Sequence, residues 1–404
     1  MKKIANLVLG VVTSIGGFVE VGSISTAAQA GAEFEFGLLW AIAAAGLMLA
    51  MLVEMSGRLA AVGKRTVAAA VRERFGFHFL LIPLCAELVT DVLLLSAEIG
   101  GVAIALRLVT GTGFQWWVVP VAAVAWLVLW LGNFTVIEDG LGLLGLVTVS
   151  FVVAAWRLHP APAALGRGLL PALPQHDLVR YGFLAVSIVG ATISPYLLNF
   201  YASGAVEEKW TEDDLWINRS TAFAGMGFGT VVSMGVLVTA ALVLAPRHIR
   251  VDSYEQAALM FIPAFGRWSV PLFALALGVG CLGASVEIAL NGGYLLSQAF
   301  GWTWGVDKKR RDAARFSAAF TGVLMLSAAV ALTGFDPLRV TLISLALTVM
   351  IMPFVVLPFL VLMNDERFVK QHTSGPVGNA VLAVLVVAGA VFALIIVPLE
   401  IFGG

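Results

Sequence analysis

The sequence predicts an all-α integral membrane protein, built as an inverted repeat of five plus five helices with an eleventh helix appended. Three observations carry this reading. The 404 residues are 60% hydrophobic and only 12% charged, with a mean hydropathy of +0.97, far from the composition of a soluble globular domain. Eleven apolar runs each approach or exceed the roughly 20 residues that cross a hydrocarbon core. The first and the sixth are interrupted near their centres by polar, helix-breaking stretches, "GGFVEVGSIST" (16–26) and "GATISPYLLNFYASG" (190–204). Interrupted spans at corresponding positions of two halves mark an inverted repeat with substrate bound between the breaks.

The runs fall at 4–30, 37–60, 79–107, 115–132, 135–157, 180–205, 220–245, 268–298, 314–333, 338–363 and 377–401. The chain reads as a single transmembrane domain over 1–404, with repeat one at 1–157, an external linker at 158–179, repeat two at 180–363 and the additional helix at 377–401. Residues 1–30 read as a first span rather than a secretory signal, because the apolar run continues through Glu20 towards a second span. A cytoplasmic N-terminus and an external C-terminus place most of the 24 Lys and Arg inside, as the positive-inside rule requires. A prokaryotic inner membrane is the expected location. The basic "DKKRRDAAR" (307–315) is expected to anchor topology and touch lipid headgroups, and "EEKWTEDD" (207–214) to form a charged cytoplasmic cap. Cys85 and Cys281 fall inside apolar runs and read as small buried hydrophobes.

The expected partners are a small ion or solute and the lipid bilayer; a formal net charge of −1 gives no reason to invoke nucleic acid. No phosphate-binding glycine loop, nucleophile triad or cysteine cluster is present, so the chain is not read as an enzyme. No resident cofactor is expected, only a transported or coupling ion (Mg²⁺, Na⁺ or H⁺).

Ionisable groups inside spans are costly and therefore functional candidates. They are Glu20, Glu54, Glu87, Asp91, Glu98 and Glu287. Asp91 and Glu98 are seven residues apart, on one helix face, and are candidates for a coupling or proton path together with Glu20. Glu54 precedes Arg58 by four residues and reads as its partner, while Glu287 reads as a structural acid in a Gly- and Ser-rich span. No histidine lies near a span centre, so any coupled proton would ride on carboxylates.

At the two breaks the chain resembles the Nramp family of proton-coupled divalent metal transporters, whose fold is of the LeuT type. The likeness runs nearly end to end, through "STAAQAGAEFEFGLLW" (25–40), "AEIGGVAIAL" (97–106), "GATISPY" (190–196), "DSYEQAALMFIPAFG" (252–266) and "FDPLRVTLISLALTVMIMPFVVLPFLVLMND" (335–365). The family's first-span Asp-Pro-Gly-Asn aligns with Glu20, Val21, Gly22 and Ser23. Its sixth-span Ala-x-x-Met-Pro-His aligns with Ala191, Ser194, Pro195 and Tyr196, so serine replaces the metal-binding methionine and tyrosine the histidine. A second histidine is replaced by Tyr201, a tenth-span glutamine by Leu345, and the Asp of the third-span proton route by Leu95, with its Glu kept as Glu98. By this resemblance Glu20, Gly22, Ser23, Ala191, Ser194 and Tyr196 bind the cargo, and Tyr196 and Tyr201 are candidates for gating.

Two cargo classes remain open. Glu20, Ser23, Ser194 and Thr26 with the freed carbonyls of Gly17 and Ala191 make an all-oxygen metal site, suited to a hard divalent cation. Without the soft thioether that selects Mn²⁺ or Fe²⁺, Mg²⁺ is favoured, and relatives of Nramp that carry Mg²⁺ also lack the methionine. The alternative is a small anion or polar solute, such as bicarbonate or a short carboxylate coupled to Na⁺ or H⁺. It would sit on the half-helix starting at Pro195, whose free N–H groups and positive dipole end favour negative charge.

Overall fold

A computed structural model describes residues 20–133, 140, 143–174, 176–391 and 394. The start of the first span, with Gly17, lies outside the described residues, as do the beginning of the fifth and the end of the eleventh. The described residues are helical with no strand. The principal helices are α1 (Val21–Phe34), α2 (Leu39–Gly63), α3 (Val67–Phe75), α4 (Phe77–Thr110), α5 (Gln115–Leu131), α6 (Val149–Arg157), α7 (Pro162–Gly168), α8 (Leu178–Thr192), α9 (Pro195–Glu207), α10 (Leu215–Val243), α11 (Ser269–Phe300), α12 (Ala314–Leu332), α13 (Pro337–Met363) and α14 (Pro376–Val391).

Over the described residues, each of the eleven expected runs holds one of these helices or, for the sixth, the pair α8 and α9; the first, fifth and eleventh are described only in part. Among the described residues seven helical stretches are long and apolar enough to cross a membrane. Helices α1, α5, α6 and α14 are shorter, and of these only α5 lies in a run described in full. In the linker, Pro160 and Pro162 end the α6 span, and α7 leaves it at 119°, as proline demands by removing ladder donors. Leu47, Ile82, Val89, Trp116, Met325 and Phe354 stand exposed. So much outward apolar surface is the mark of a chain solvated by lipid.

The centre is formed where α4 packs along α11 and α13, and where α10 packs along α1 and α2. Helix α1 can approach α10 because residue 31 is glycine: a Cβ there would run into the Leu237 carbonyl and Ala240. Cues at the helix ends follow ordinary chemistry. Asp177 caps α8 by accepting from the Arg180 N–H at 2.9 Å, Asp336 caps α13 ahead of Pro337, and Gly111 ends α4 in the left-handed region at φ 74°.

Two expectations are corrected, at Cys85 and at the first break, and Arg310 makes a contact that the sequence did not foresee. Cys85 is exposed on α4, whereas Cys281 is buried as expected; an apolar run in a membrane helix has an outer face as well as an inner one. Arg310 of the basic loop turns inward, and its guanidinium donates to the carbonyls of Leu129 (2.8 Å), Trp130 (3.1 Å) and Gly132 (3.4 Å). It therefore closes the C-terminal end of α5, whose last carbonyls have no helical donor. The expected break does not extend over residues 21–23, since Val21, Gly22 and Ser23 already belong to the first turn of α1 with Glu20 as its cap.

Candidate functional site

The sixth span breaks between α8 and α9. Ile193 closes α8 by donating to the Val189 carbonyl at 2.8 Å, and the ladder resumes only when the Leu197 N–H donates to the Ser194 carbonyl at 3.1 Å. Pro195 at the first position of α9 has no N–H to lose and a φ already suited to a helix start. Ser194 stands extended before it (φ −88°, ψ 131°). Its side chain is 1% exposed and its hydroxyl has no hydrogen-bond partner.

Facing this break is the N-terminal end of α1. Glu20, extended at φ −103° and ψ 175°, is the cap residue. Its N–H donates to the Ser23 hydroxyl at 3.2 Å, and its side chain accepts from the Ser23 N–H in a reciprocal capping box. The next donor, the Val21 N–H, is taken by Glu98 of α4 at 3.1 and 3.3 Å from its two carboxylate oxygens. Two carboxylates at a helix N-terminus match its partial positive charge.

The two ends meet through Glu20. The Tyr196 hydroxyl, one residue into α9 from Pro195, donates to Glu20 Oε2 at 3.2 Å. The other oxygen, Oε1, is buried and without a partner. A Cβ built on Gly22 would stand 3.4 Å from that oxygen, 3.5 Å from the Ala191 Cβ and 3.2 Å from the Leu345 side chain. Glu20, Gly22, Ala191 and Leu345 are thus immediate neighbours, and any side chain at position 22 would crowd the space they share. Thr26 and Ser25 are turned away from it, both donating to the Gly22 carbonyl at 2.8 and 3.0 Å.

Among the described residues, the charges acting on Tyr196 and Asp91 have one sign. Tyr196 lies in the field of Glu20, Glu98 and Glu287, and Asp91 in that of Glu20 and Glu87. Helices α1, α9 and α11 carry no Lys, Arg or His. Among the described residues no three His, Cys, Asp or Glu side chains cluster with metal-ligand geometry; with the Glu98 carboxylate taken up by the Val21 N–H, Glu20 and neutral oxygens are what this junction offers.

Other candidates lie elsewhere. Tyr201 is not brought to the junction: its ring stacks edge-on against Trp210 and its hydroxyl approaches the Asn218 carbonyl at 3.5 Å. Five residues from Tyr196, it faces a different side of α9. Asp91 is not paired with Glu98 either. The Asn291 amide of α11 bridges Asp91 at 2.9 Å to Glu87 at 3.2 Å, and Asn199 of α9 donates to Glu87 at 2.7 Å. This buried network was missed in the sequence reading, where Glu87 drew no role and the two asparagines no notice. An amide inside an apolar run is a signal that could have found them. Glu54 and Arg58 pair as expected at 3.2 Å.

Two broken or capped helix ends meeting at a buried carboxylate, in a bundle of lipid-exposed helices, define a membrane carrier of the broken-helix type. The chain belongs to the Nramp family: the family model described as natural resistance-associated macrophage protein-like matches residues 10–398. It is 27% identical over 401 residues to the divalent metal cation transporter MntH of Deinococcus radiodurans, covering 94% of this chain and 86% of that protein. In structure it is similar to the manganese transporter of Eremococcus coleocola, with a TM-score of 0.78 at 18% identity over 98% of this chain and 86% of that one. A nucleobase-cation-symport-1 family transporter gives a TM-score of 0.60 at 17% identity, covering 98% of this chain and 91% of that chain. The LeuT-type fold, membrane integration and a transport rather than enzymatic role follow from these relationships.

Proposed function

We propose that the chain moves a hard divalent cation by alternating access, with Glu20 as its charged ligand and Gly22, Ser23, Ala191 and Ser194 shaping an oxygen-lined site. One observation carries the reading. Glu20 keeps an unpartnered, buried carboxylate oxygen where the ionisable groups acting on the junction are themselves acids. A buried carboxylate without compensation is expensive, and a bound cation supplies the missing charge. Relatives described as divalent metal cation and manganese transporters support the same class of cargo. Because Ser194 offers oxygen and the site has no thioether, Mg²⁺ is preferred over Mn²⁺ and Fe²⁺.

The anion alternative keeps one point in its favour, the half-helix dipole at Pro195. Against it, the Tyr196 hydroxyl that would donate to an anion already donates to Glu20, and Glu20 would have to be neutral to admit one. We also propose an N-terminus inside and C-terminus outside in a prokaryotic inner membrane, the two five-span repeats as the moving units, and Glu20 with Glu98 as the groups that would carry coupled protons. Tyr196 is the gate of this scheme.

The test is uptake into liposomes holding the purified carrier, with Mg²⁺, Mn²⁺ and bicarbonate supplied separately. Divalent uptake that Glu20→Gln abolishes supports the reading. Bicarbonate uptake with no divalent uptake would replace it with the anion reading.

A further inference from the structure

Glu87 and Asp91 occupy successive turns of α4, 2% and 3% exposed, with a single amide nitrogen, Asn291 Nδ2, in reach of both carboxylates at 3.2 and 2.9 Å. Asn199 Nδ2 reaches Glu87 from α9 at 2.7 Å. Both amides are buried, and both of their oxygens, Asn199 Oδ1 and Asn291 Oδ1, have no hydrogen-bond partner. Buried carbonyl oxygens without a donor are rare and call for an explanation. Among the described residues, the charges acting on Asp91 are those of Glu87 and Glu20, and no base acts on Glu87.

One end of the network is reachable, while Asp91 and Asn291 lie behind it. Glu87 and Asn199 border a cleft walled by Val71 of α3, Pro83 of α4, Leu295 of α11 and Phe354 of α13, with a free volume of about 20 Å³. About 10–15 Å³ suffices for one water, so a single small ion fits. The cleft is bordered by Val67, Ala68 and Val71 of α3, and along α4 Asp91 lies between Glu87 and Glu98, whose carboxylate meets the Val21 N–H next to Glu20.

We propose that Glu87, Asp91, Asn199 and Asn291 form a second divalent-cation site, a station between Glu20 and the α3 end of the bundle. The proposal rests on the cation reading of the cargo. Charge balance selects a divalent ion, since two carboxylates and one such ion sum to zero while a monovalent ion leaves one buried negative charge. Donor chemistry selects a hard one, since all four side chains offer oxygen. In the ion-free arrangement the amide N–H groups hold the two carboxylates. Turning each amide about its terminal bond exchanges nitrogen for oxygen and presents four oxygen-bearing side chains to an arriving ion.

Equilibrium binding of radioactive Mn²⁺ to the purified full-length carrier counts the sites. Wild type is expected to bind two ions per chain, Glu20→Gln one, the double variant Glu87→Gln/Asp91→Asn one, and the triple variant none. In the Glu20→Gln background, Asn199→Asp is expected to tighten Mn²⁺ binding at least about tenfold, an effect that needs no loss of fold to be seen. One ion per chain in wild type, lost in Glu20→Gln and kept in the double variant, would overturn this proposal and leave the proposed function standing. One ion kept in Glu20→Gln and lost in the double variant would uphold this site and remove Glu20 from the cargo path. Unchanged affinity in Asn199→Asp, or no Mn²⁺ bound by a monodisperse wild type, would overturn the proposal.

Discussion

The two helix ends that meet at the centre differ in how completely their polar groups are satisfied. At the start of α1, Glu98 takes the Val21 N–H, Ser23 and Glu20 cap each other, and Ser25 and Thr26 fold back on the Gly22 carbonyl. At the α8–α9 break, Ser194 keeps a buried hydroxyl with no partner. The one group common to both, Glu20, gives one oxygen to Tyr196 and leaves the other free. The difference teaches that a helix can be interrupted in a membrane for two purposes. A saturated end holds a carboxylate in place, and an unsaturated one leaves ligands for something that arrives.

This contrast breaks most readily at Glu20. Glu20→Gln removes the charge and leaves the shape, and divalent uptake into liposomes is expected to fall by about a hundredfold, a loss near 2.7 kcal/mol, with the melting temperature little changed. Glu98→Ala is the next largest and falls on the saturated end. It strips the Val21 N–H of its partner, and an unsatisfied buried donor costs about 1–3 kcal/mol, to be read as reduced thermal stability in detergent. Glu98→Gln retains an acceptor and sharpens the point: full stability with lost uptake would assign Glu98 to coupling as well as to capping.

On the unsaturated side, Ser194→Met supplies a soft ligand, and the Mn²⁺ to Mg²⁺ uptake ratio is expected to rise about tenfold, near 1.4 kcal/mol. A ratio that stays at the wild-type value would remove Ser194 from the ligand set. Tyr196→Phe deletes one hydrogen bond to Glu20, worth about 1.5 kcal/mol at the low end for a charged acceptor, and a change of up to about tenfold in the apparent cation affinity is expected. Tyr201→Phe, away from the junction against Trp210, should alter uptake by less than about twofold, because its weak 3.5 Å approach to the Asn218 carbonyl contributes little.

Much of the architecture was legible because hydropathy alone fixes where a membrane helix can run, and proline with hydroxyl neighbours at 194–196 marks where one must stop. The convergence of Glu20, Ala191 and Tyr196 was also legible, through the pairing of the two breaks. What escaped has physical reasons. The capping pair runs Glu20 to Ser23, the reverse of the usual Ser-to-Glu order, so the first turn of α1 read as part of the break. Arg310 looked like one more surface charge until its acceptors at the end of α5 came into place. Glu87, Asp91, Asn199 and Asn291 come from three helices whose pairing no periodicity encodes: the two acids stood out singly, but nothing in the sequence joined them to the two amides.

The central claim is that a cation sits between Glu20 and the α8–α9 break. Anomalous X-ray scattering from crystals of the carrier grown with Mn²⁺ tests it most directly. A peak in contact with the Glu20 carboxylate, bounded by Ala191 and Ser194 and absent in Glu20→Gln, is expected. A peak at no position near Glu20, with an oxyanion bound instead at the N-terminus of α9, would contradict it.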